Sequence, residues 1–66
     1  MNYIFLDNGF EEIEAITTID LLRRANIALT TISVTGQAMV TGAHDIIVKA
    51  DALFVDADFS DAEMLI

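Results

Sequence analysis

The sequence predicts an α/β fold with a mostly parallel sheet. Residues 3–6, Tyr-Ile-Phe-Leu, form a continuous apolar run typical of a strand that is buried on both faces. Residues 11–26 are rich in helix formers, and residues 27–34 are rich in the Ile, Thr and Val that favour strands. A strand, a helix and a strand joined by short loops make a βαβ unit, whose two strands are almost always parallel.

The predicted helix at 11–26 carries the charges that favour both ends of a helix. Acidic residues occupy the first turn and basic residues the last: Glu11, Glu12, Glu14, Arg23 and Arg24. This distribution complements the helix dipole. Asn26 stands at the end of this range, and Asn is second only to Gly in accepting the left-handed conformation that ends many helices.

Apolar residues lie nearly all round this helix. They are Ile13, Ala15, Ile16, Ile19, Leu21, Leu22 and Ala25. A helix that is apolar on all sides is normally buried on more than one of them. We therefore expect one side to pack on the sheet and another to be covered by residues outside this chain.

The second half of the chain predicts short strands and turns. The Val-Thr-Gly triplets at 34–36 and 40–42 predict turns flanking short strands, and 45–49 predicts a further strand. Residues 51–61 carry four aspartates among apolar residues, which indicates a surface connection with a hydrophobic inner side. Residues 63–66 begin another core strand, which should be followed by a covering helix. We therefore expect residues 1–66 to be the incomplete N-terminal part of a single domain.

Composition excludes several functional classes. The formal net charge is −8 with only 3 Lys and Arg, so a nucleic-acid partner is not expected. No apolar run approaches the roughly 20 residues of a membrane-spanning helix, so no membrane partner is expected. The N-terminus predicts a strand and lacks the basic region of a signal peptide, which favours a cytoplasmic protein.

The sequence predicts no metal site and no cofactor. The chain has no Cys and a single His, which excludes a disulfide framework and a Cys/His zinc site. Gly9 stands alone without a G-x-G-x-x-G pattern, so a dinucleotide or P-loop site is not supported. The acids of 51–61 lack the spacing of a calcium loop, and a solvated face is expected there.

Glu14 is the candidate catalytic residue. On the helical wheel it falls between Leu21 and Ala25, just after the loop that follows the first predicted strand. Open α/β sheets place their ligand sites at the carboxyl ends of such strands. Partial burial there would keep this carboxyl protonated as a hydrogen-bond donor or general acid. Alternatively, it is a first-turn glutamate favoured by the helix dipole and pointing to water.

The other polar candidates have simpler interpretations. His44 follows Gly42 and Ala43 on a predicted turn, which indicates an exposed or interface histidine. Asp20 precedes Arg24 by four residues, the spacing of a solvated ion pair on a helix. No serine lies in the context of a nucleophile elbow.

Several blocks of the sequence closely resemble the ThiJ/PfpI superfamily, the family of the human parkinsonism-associated protein. They are Gly-Phe-Glu-Glu-Ile-Glu at 9–14, Asp-Leu-Leu-Arg-Arg-Ala at 20–25, Ser-Val-Thr-Gly at 33–36 and Val-Thr-Gly-Ala-His-Asp at 40–45. The double arginine and the second Val-Thr-Gly block are most similar to the short bacterial ThiJ-type branch. The blocks match in order along the whole chain, which corresponds to the N-terminal part of such a protein.

The resemblance implies a flavodoxin-like α/β sandwich and a homodimer. Members of the family use a reactive cysteine, which lies beside a histidine on a later strand-to-helix turn. A glutamate at the end of their Glu-Glu-x-Glu motif hydrogen-bonds that cysteine, and this position falls on Glu14. Asp20, Arg24 and His44 match positions near the family's dimer interface.

The absence of cysteine means that this chain cannot by itself perform the family's covalent chemistry. Three hypotheses follow. The intact parent is a glyoxalase- or deglycase-like hydrolase acting on small reactive carbonyl compounds, completed by a C-terminal part that is a second chain or a missing segment. Alternatively, it is a redox-responsive or chaperone-like protein of oxidative stress with the same fold. The third hypothesis is a self-contained acidic interaction module.

Overall fold

The structure, a computed structural model, describes all 66 residues. A four-stranded parallel sheet and one α-helix form its main part, and a small antiparallel hairpin adds two strands. In chain order the elements are β1 (Asn2–Leu6), α1 (Glu12–Arg24), β2 (Leu29–Ser33), β3 (Met39–Thr41), β4 (Ile47–Lys49), β5 (Ala52–Leu53), a 3-10 turn (Phe54–Asp56) and β6 (Met64–Leu65).

The strand order of the parallel sheet is β5-β2-β1-β6. β1 pairs along its whole length with β2, from Asn2 beside Leu29 to Leu6 beside Ser33. The chain then returns to the other side of β1, where β6 pairs with Asn2 and Tyr3. This order confirms the predicted flavodoxin-like α/β fold, with a βαβ unit, a hairpin region and the start of a further core strand. The direction of winding reverses at β1, and in such sheets ligands bind at the carboxyl edge of this position.

One face of β1 packs against the hairpin and α1. Leu6, Val40 and Ala50 are buried together, and Phe10, Ala15 and Val48 pack against them. Only 11 of the 66 residues are buried, so this core is small.

The opposite face of β1 is covered by an aromatic cluster. Successive strand residues point to opposite faces, which places Tyr3 and Phe5 on the side away from Leu6. Phe59 stacks edge-on against Tyr3 at 4.8 Å and lies 5.5 Å from Phe5. The Tyr3 hydroxyl donates to Asp61 at 2.6 Å, and this bond is the main reason that the pKa of Tyr3 is raised to about 12. Phe59 thus gives residues 51–61 the expected inner apolar side, whereas Phe54 and Val55 of the same segment are exposed.

The structure corrects several predicted boundaries. α1 begins at Glu12 and ends at Arg24, inside the predicted range 11–26. Asn26 is left-handed as predicted, with φ of 61°. The Ile27 N–H donates to the Leu22 carbonyl, a bond that closes the helix end, and β2 begins at Leu29 and not at 27.

The second half of the chain also differs from the prediction. β4 begins at Ile47, because Asp45 is left-handed (φ 64°) and belongs to the preceding turn. The segment 51–61 was predicted to be only a connection, but it contains β5 and a 3-10 turn.

The predicted uncovered side of the helix is confirmed. Ile13 is 79% exposed and Leu21 is 60% exposed, whereas Glu12 is the one buried residue of α1. No helix combines the length and the apolar character that crossing a membrane requires.

Asp51 fastens the short strand β5 to β2 and to the end of α1. Its carboxylate accepts the Thr31 backbone N–H at 2.9 Å and an Arg23 guanidinium N–H at 2.8 Å. In return, the Asp51 N–H donates to the Thr31 carbonyl at 3.0 Å and lies 2.8 Å from its hydroxyl. Burial opposes ionisation of Asp51, but the bonds from Thr31 and the charge of Arg23 lower the pKa of its carboxyl.

We expect Asp51→Ala to destabilise the full-length protein by about 1–2 kcal/mol, because it leaves the N–H of buried Thr31 without a partner. Arg23→Met removes a half-exposed ion pair and the 3.2 Å bond from Arg23 to the Leu29 carbonyl, and it should cost less than about 1 kcal/mol. Urea unfolding of the three proteins measures both effects. An equal loss in the two variants would show that the ion pair, and not the Thr31 N–H, is the important contact.

Candidate functional site

The first turn of α1 places one carboxylate inside the hairpin loop. Glu12 is only 5% exposed. Its Oε2 accepts the backbone N–H of His44 at 2.6 Å and that of Ile46 at 3.4 Å. Its Oε1 lies 2.9 Å from His44 Nδ1. The carboxylate therefore joins the start of the helix to the loop between β3 and β4.

The loop at 42–46 is shaped to receive an anion. The Gly42 N–H donates to the Ile46 carbonyl at 2.8 Å, which closes the loop. Asp45 is left-handed within it, and backbone N–H groups gathered in such turns form a concave anion site. Here the anion is the chain's own Glu12.

The same loop is fastened to the end of β1. The Ala43 N–H donates to the Phe10 carbonyl, and the Gly9 N–H donates to the Thr41 carbonyl, each at 2.8 Å. The Asn8 side chain also accepts the Thr41 N–H at 3.0 Å. These bonds fix the segment between β1 and α1, which is the carboxyl edge of the strand where winding reverses.

Gly42 is required by the Glu12 side chain. A Cβ atom at this position would overlap the carboxylate and Cγ of Glu12. The backbone of Gly42 does not have a positive φ, so the constraint is the close approach of Glu12 and not an unusual conformation.

The Glu12–His44 pair shifts the pKa of both groups. Burial opposes ionisation of Glu12, but its hydrogen bonds from His44 and from backbone N–H groups outweigh that cost and lower the pKa of Glu12 to about 2. The hydrogen bond to Glu12, with the charges of Glu12 and Glu11, raises the pKa of His44 above 6.5. Over part of the acidic pH range, Glu12 is therefore negatively charged and His44 positively charged.

A cleft of about 260 Å³ lies beside this pair, lined by Glu11, Glu12, Ile13, His44 and Ile46. The His44 side chain is 72% exposed, and Glu11 Oε1 lies 3.8 Å from its Nδ1. The cleft therefore presents two carboxylates and one imidazole beside exposed apolar side chains.

The predicted catalytic residue lies on another side of the same helical turn. Glu14 is exposed, so within this chain the expected partial burial is not found. Its backbone carbonyl accepts the Thr18 hydroxyl at 2.8 Å, an ordinary bond within the helix. The assignment of a catalytic role to Glu14 remains a prediction.

Two of the three predicted interface residues lie in the C-terminal half of α1, and His44 lies in the loop between β3 and β4. Asp20 and Arg24 form the predicted ion pair, at 2.9 Å and exposed to solvent. His44 pairs instead with Glu12 in the first helical turn. Their place at a dimer interface also remains a prediction.

Sequence reasoning missed the roles of Glu12 and Gly42. From the sequence, Glu12 is expected only to complement the helix dipole, and Gly42 only to occupy a turn. The available signal was the combination of a glutamate in the first turn with a Gly-Ala-His-Asp loop rich in free backbone N–H groups. It could not be used without knowing that residues 12 and 44 meet.

We expect Gly42→Ala to destabilise the full-length protein by about 1–3 kcal/mol, because the added methyl group overlaps the Glu12 carboxylate. The matched control is the same change in a Glu12→Ala background, where the overlap is gone and the additional cost should be small. Urea unfolding of the four proteins in this cycle measures the coupling. Additive effects would contradict the steric account.

The pH dependence of stability should follow the Glu12–His44 pair. The raised pKa of His44 contributes stability that is complete below pH 6.5 and is lost as the pH rises through the folded-state value. The lowered pKa of Glu12 contributes stability that is complete above pH 4.5 and is lost as the pH falls towards 2. The stability lost on His44→Ala substitution should therefore be greatest between pH 4.5 and 6.5.

Urea unfolding of the protein and the His44→Ala variant between pH 3 and 9 tests this expectation. A difference between the two that grows from pH 6 to pH 9 would contradict the assigned pair.

Two solved structures are similar to this chain. One is a mutant of a DJ-1 superfamily protein from Salmonella typhimurium, with 38% identity, a TM-score of 0.80 and coverage of 83% of this chain and 30% of that one. The other is DJ-1 of Toxoplasma gondii in an oxidised form, with 30% identity, a TM-score of 0.91 and coverage of 97% and 35%. The chain therefore spans about a third of the length of these structures.

No curated protein sequence gives a significant match. The family model of the DJ-1/PfpI family, however, matches residues 2–66, nearly the whole chain. Together with the strand order of the sheet, this match shows that the chain belongs to the DJ-1/PfpI family.

Proposed function

We propose that the chain contributes the N-terminal part of a cysteine-dependent enzyme, a glyoxalase- or deglycase-like hydrolase of small reactive carbonyl compounds. The observation that supports this most is the place of Glu14. It lies in the first turn of α1, directly after the carboxyl edge of β1 where the winding of the sheet reverses. Ligand sites of open α/β sheets form at this position.

The role proposed for Glu14 is to control a cysteine that the rest of the protein supplies. A carboxyl group that donates a hydrogen bond to sulfur stabilises the thiolate, which is the nucleophilic form. The thiolate then attacks the electrophilic carbonyl carbon of the substrate: the C–S bond forms, the carbonyl π bond breaks, and its electron pair moves to the oxygen, which takes a proton from water. The exposed side chain of Glu14 is free to make such a contact, whereas Glu12 is occupied by the hairpin loop.

The proposal includes two partners. The exposed apolar side chains on α1 and on β6, among them Ile13, Leu21 and Leu65, are the surfaces that a remaining C-terminal part of the domain and a second copy would cover. The C-terminal part would be a separate chain or a further segment. The second copy would form a homodimer, with Asp20, Arg24 and His44 near its interface.

A second candidate is a redox-responsive or chaperone-like stress protein with the same fold. The observation that favours it is that the similar Toxoplasma gondii DJ-1 structure is of an oxidised form. A cysteine held as thiolate is also the form most readily oxidised. In this candidate, Glu14 would control how readily the cysteine is oxidised, and it would not serve the turnover of a substrate.

We expect Glu14→Gln to lower kcat/KM for methylglyoxal in the full-length protein by on the order of 10²-fold, because the amide is a weaker hydrogen-bond donor to sulfur than a carboxylic acid. Steady-state turnover measures this loss. The matched control is Glu63→Gln, which changes a glutamate with an 80% exposed side chain far along the sequence, and turnover should be unchanged. Full activity in Glu14→Gln would contradict the role.

A titration of the reactive thiol tests the role of Glu14, and turnover then separates the two candidates. Under either candidate, Glu14→Asp should raise the thiol's pKa, because the shorter side chain weakens the bond to the thiolate. Absence of methylglyoxal turnover together with a readily oxidised cysteine would favour the redox protein over the hydrolase.

A further inference from the structure

We propose that Glu11, Glu12 and His44 form a binding site for one divalent metal ion of the zinc class. Each side chain offers one ligand atom, and the three atoms lie within 4.8 Å of one another. They line the cleft at the start of α1, which is open to solvent on the side of His44.

The distances fit a small metal ion. Zinc bonds of about 2.0–2.2 Å to nitrogen and oxygen in a tetrahedral arrangement place neighbouring ligand atoms roughly 3.3–3.5 Å apart. His44 Nδ1 lies 2.9 Å from Glu12 Oε1 and 3.8 Å from Glu11 Oε1, on either side of that value. The Glu11 and His44 side chains are 51% and 72% exposed, so the protein interior does not fix either of them at its present distance.

The buried ligand is already oriented for this task. The Oε2 atom of Glu12 is held by the backbone N–H groups of His44 and Ile46, and Oε1 is left facing His44 Nδ1. Metal-binding carboxylates and histidines are usually held in place by such outer hydrogen bonds. This feature distinguishes the site from a chance group of surface acids, in which no ligand is fixed.

Charge and proton balance also agree with a divalent ion. Two carboxylates and a neutral imidazole carry a charge of −2, and the chain as a whole carries −8, which favours cations. The metal takes the place of the proton between His44 Nδ1 and Glu12 Oε1. A singly protonated ring then carries its proton on Nε2, and a doubly protonated ring releases one proton to solvent.

The mixture of nitrogen and oxygen ligands favours zinc over magnesium or calcium. It also gives the proposed site no recognisable motif in the sequence. An imidazole nitrogen with carboxylate oxygens suits zinc and its neighbours, whereas magnesium and calcium prefer oxygen ligands alone. The sequence has one histidine and no cysteine, which excluded only the Cys/His sites. Glu11 and Glu12 are adjacent in sequence, but His44 joins them only through the fold.

The experiment is a zinc titration of the metal-free full-length protein by calorimetry, with every cysteine thiol alkylated so that sulfur cannot bind the metal. We expect one zinc ion per chain and a shift of the His44 ring signals in nuclear magnetic resonance that identifies Nδ1 as the ligand. Magnesium at the same concentration should leave these signals unchanged. Zinc binding that leaves the His44 signals in place would overturn the proposal, as would the absence of binding.

Two variants test the ligand set. Glu11→Gln changes a half-exposed side chain and should weaken zinc binding at least about tenfold, the smallest loss typical of damage to a metal site. Glu63→Gln, which removes an equal charge elsewhere, should leave the affinity unchanged. Equal affinities of all three proteins would refute the site. The result does not depend on the proposed hydrolase activity, because neither the readout nor the alkylated protein involves turnover.

Discussion

The structure depends on the burial of one carboxylate in a loop of backbone N–H groups. Glu12 belongs to the first turn of α1, and the loop that holds it lies between β3 and β4. A carboxylate removed from water is costly unless its oxygens are hydrogen-bonded, and here both oxygens are. The contact therefore joins the helix start to the hairpin, and the bonds of Gly9 and Phe10 to the same hairpin add to this connection at the carboxyl edge of β1.

Much of the fold could be predicted from local patterns. The apolar run of β1, the charges at the helix ends and Asn26 at the helix terminus each follow from interactions within a few residues. β5 could not be predicted, because its two residues have no pattern of their own. It is held by the bonds between Asp51 and Thr31, which lie 20 residues apart, and only the folded sheet brings them together.

The site shows the same division. A helical wheel and a family resemblance point to Glu14, whose catalytic role stays a prediction, since both use information within the motif itself. They could not identify Glu12 as the buried acid, because a wheel assigns burial from neighbouring apolar side chains. Glu12 is buried by polar backbone groups 32 and 34 residues away in sequence. Backbone N–H groups are the same in every residue type, so the sequence of the loop gives little sign of what it binds.

The geometry of the helix explains how one motif can serve two purposes. At about 100° per residue, side chains two positions apart in a helix point in nearly opposite directions. The hairpin loop can therefore supply the hydrogen bonds of the Glu12 carboxylate, while Glu14, in the same turn, makes no hydrogen bond with the loop. Exposed Ile13 lies between them in sequence, about 100° around the helix from each. Within the Glu-Glu-x-Glu motif, the second glutamate thus holds the helix in place, and the third is left available for contact with groups outside this chain.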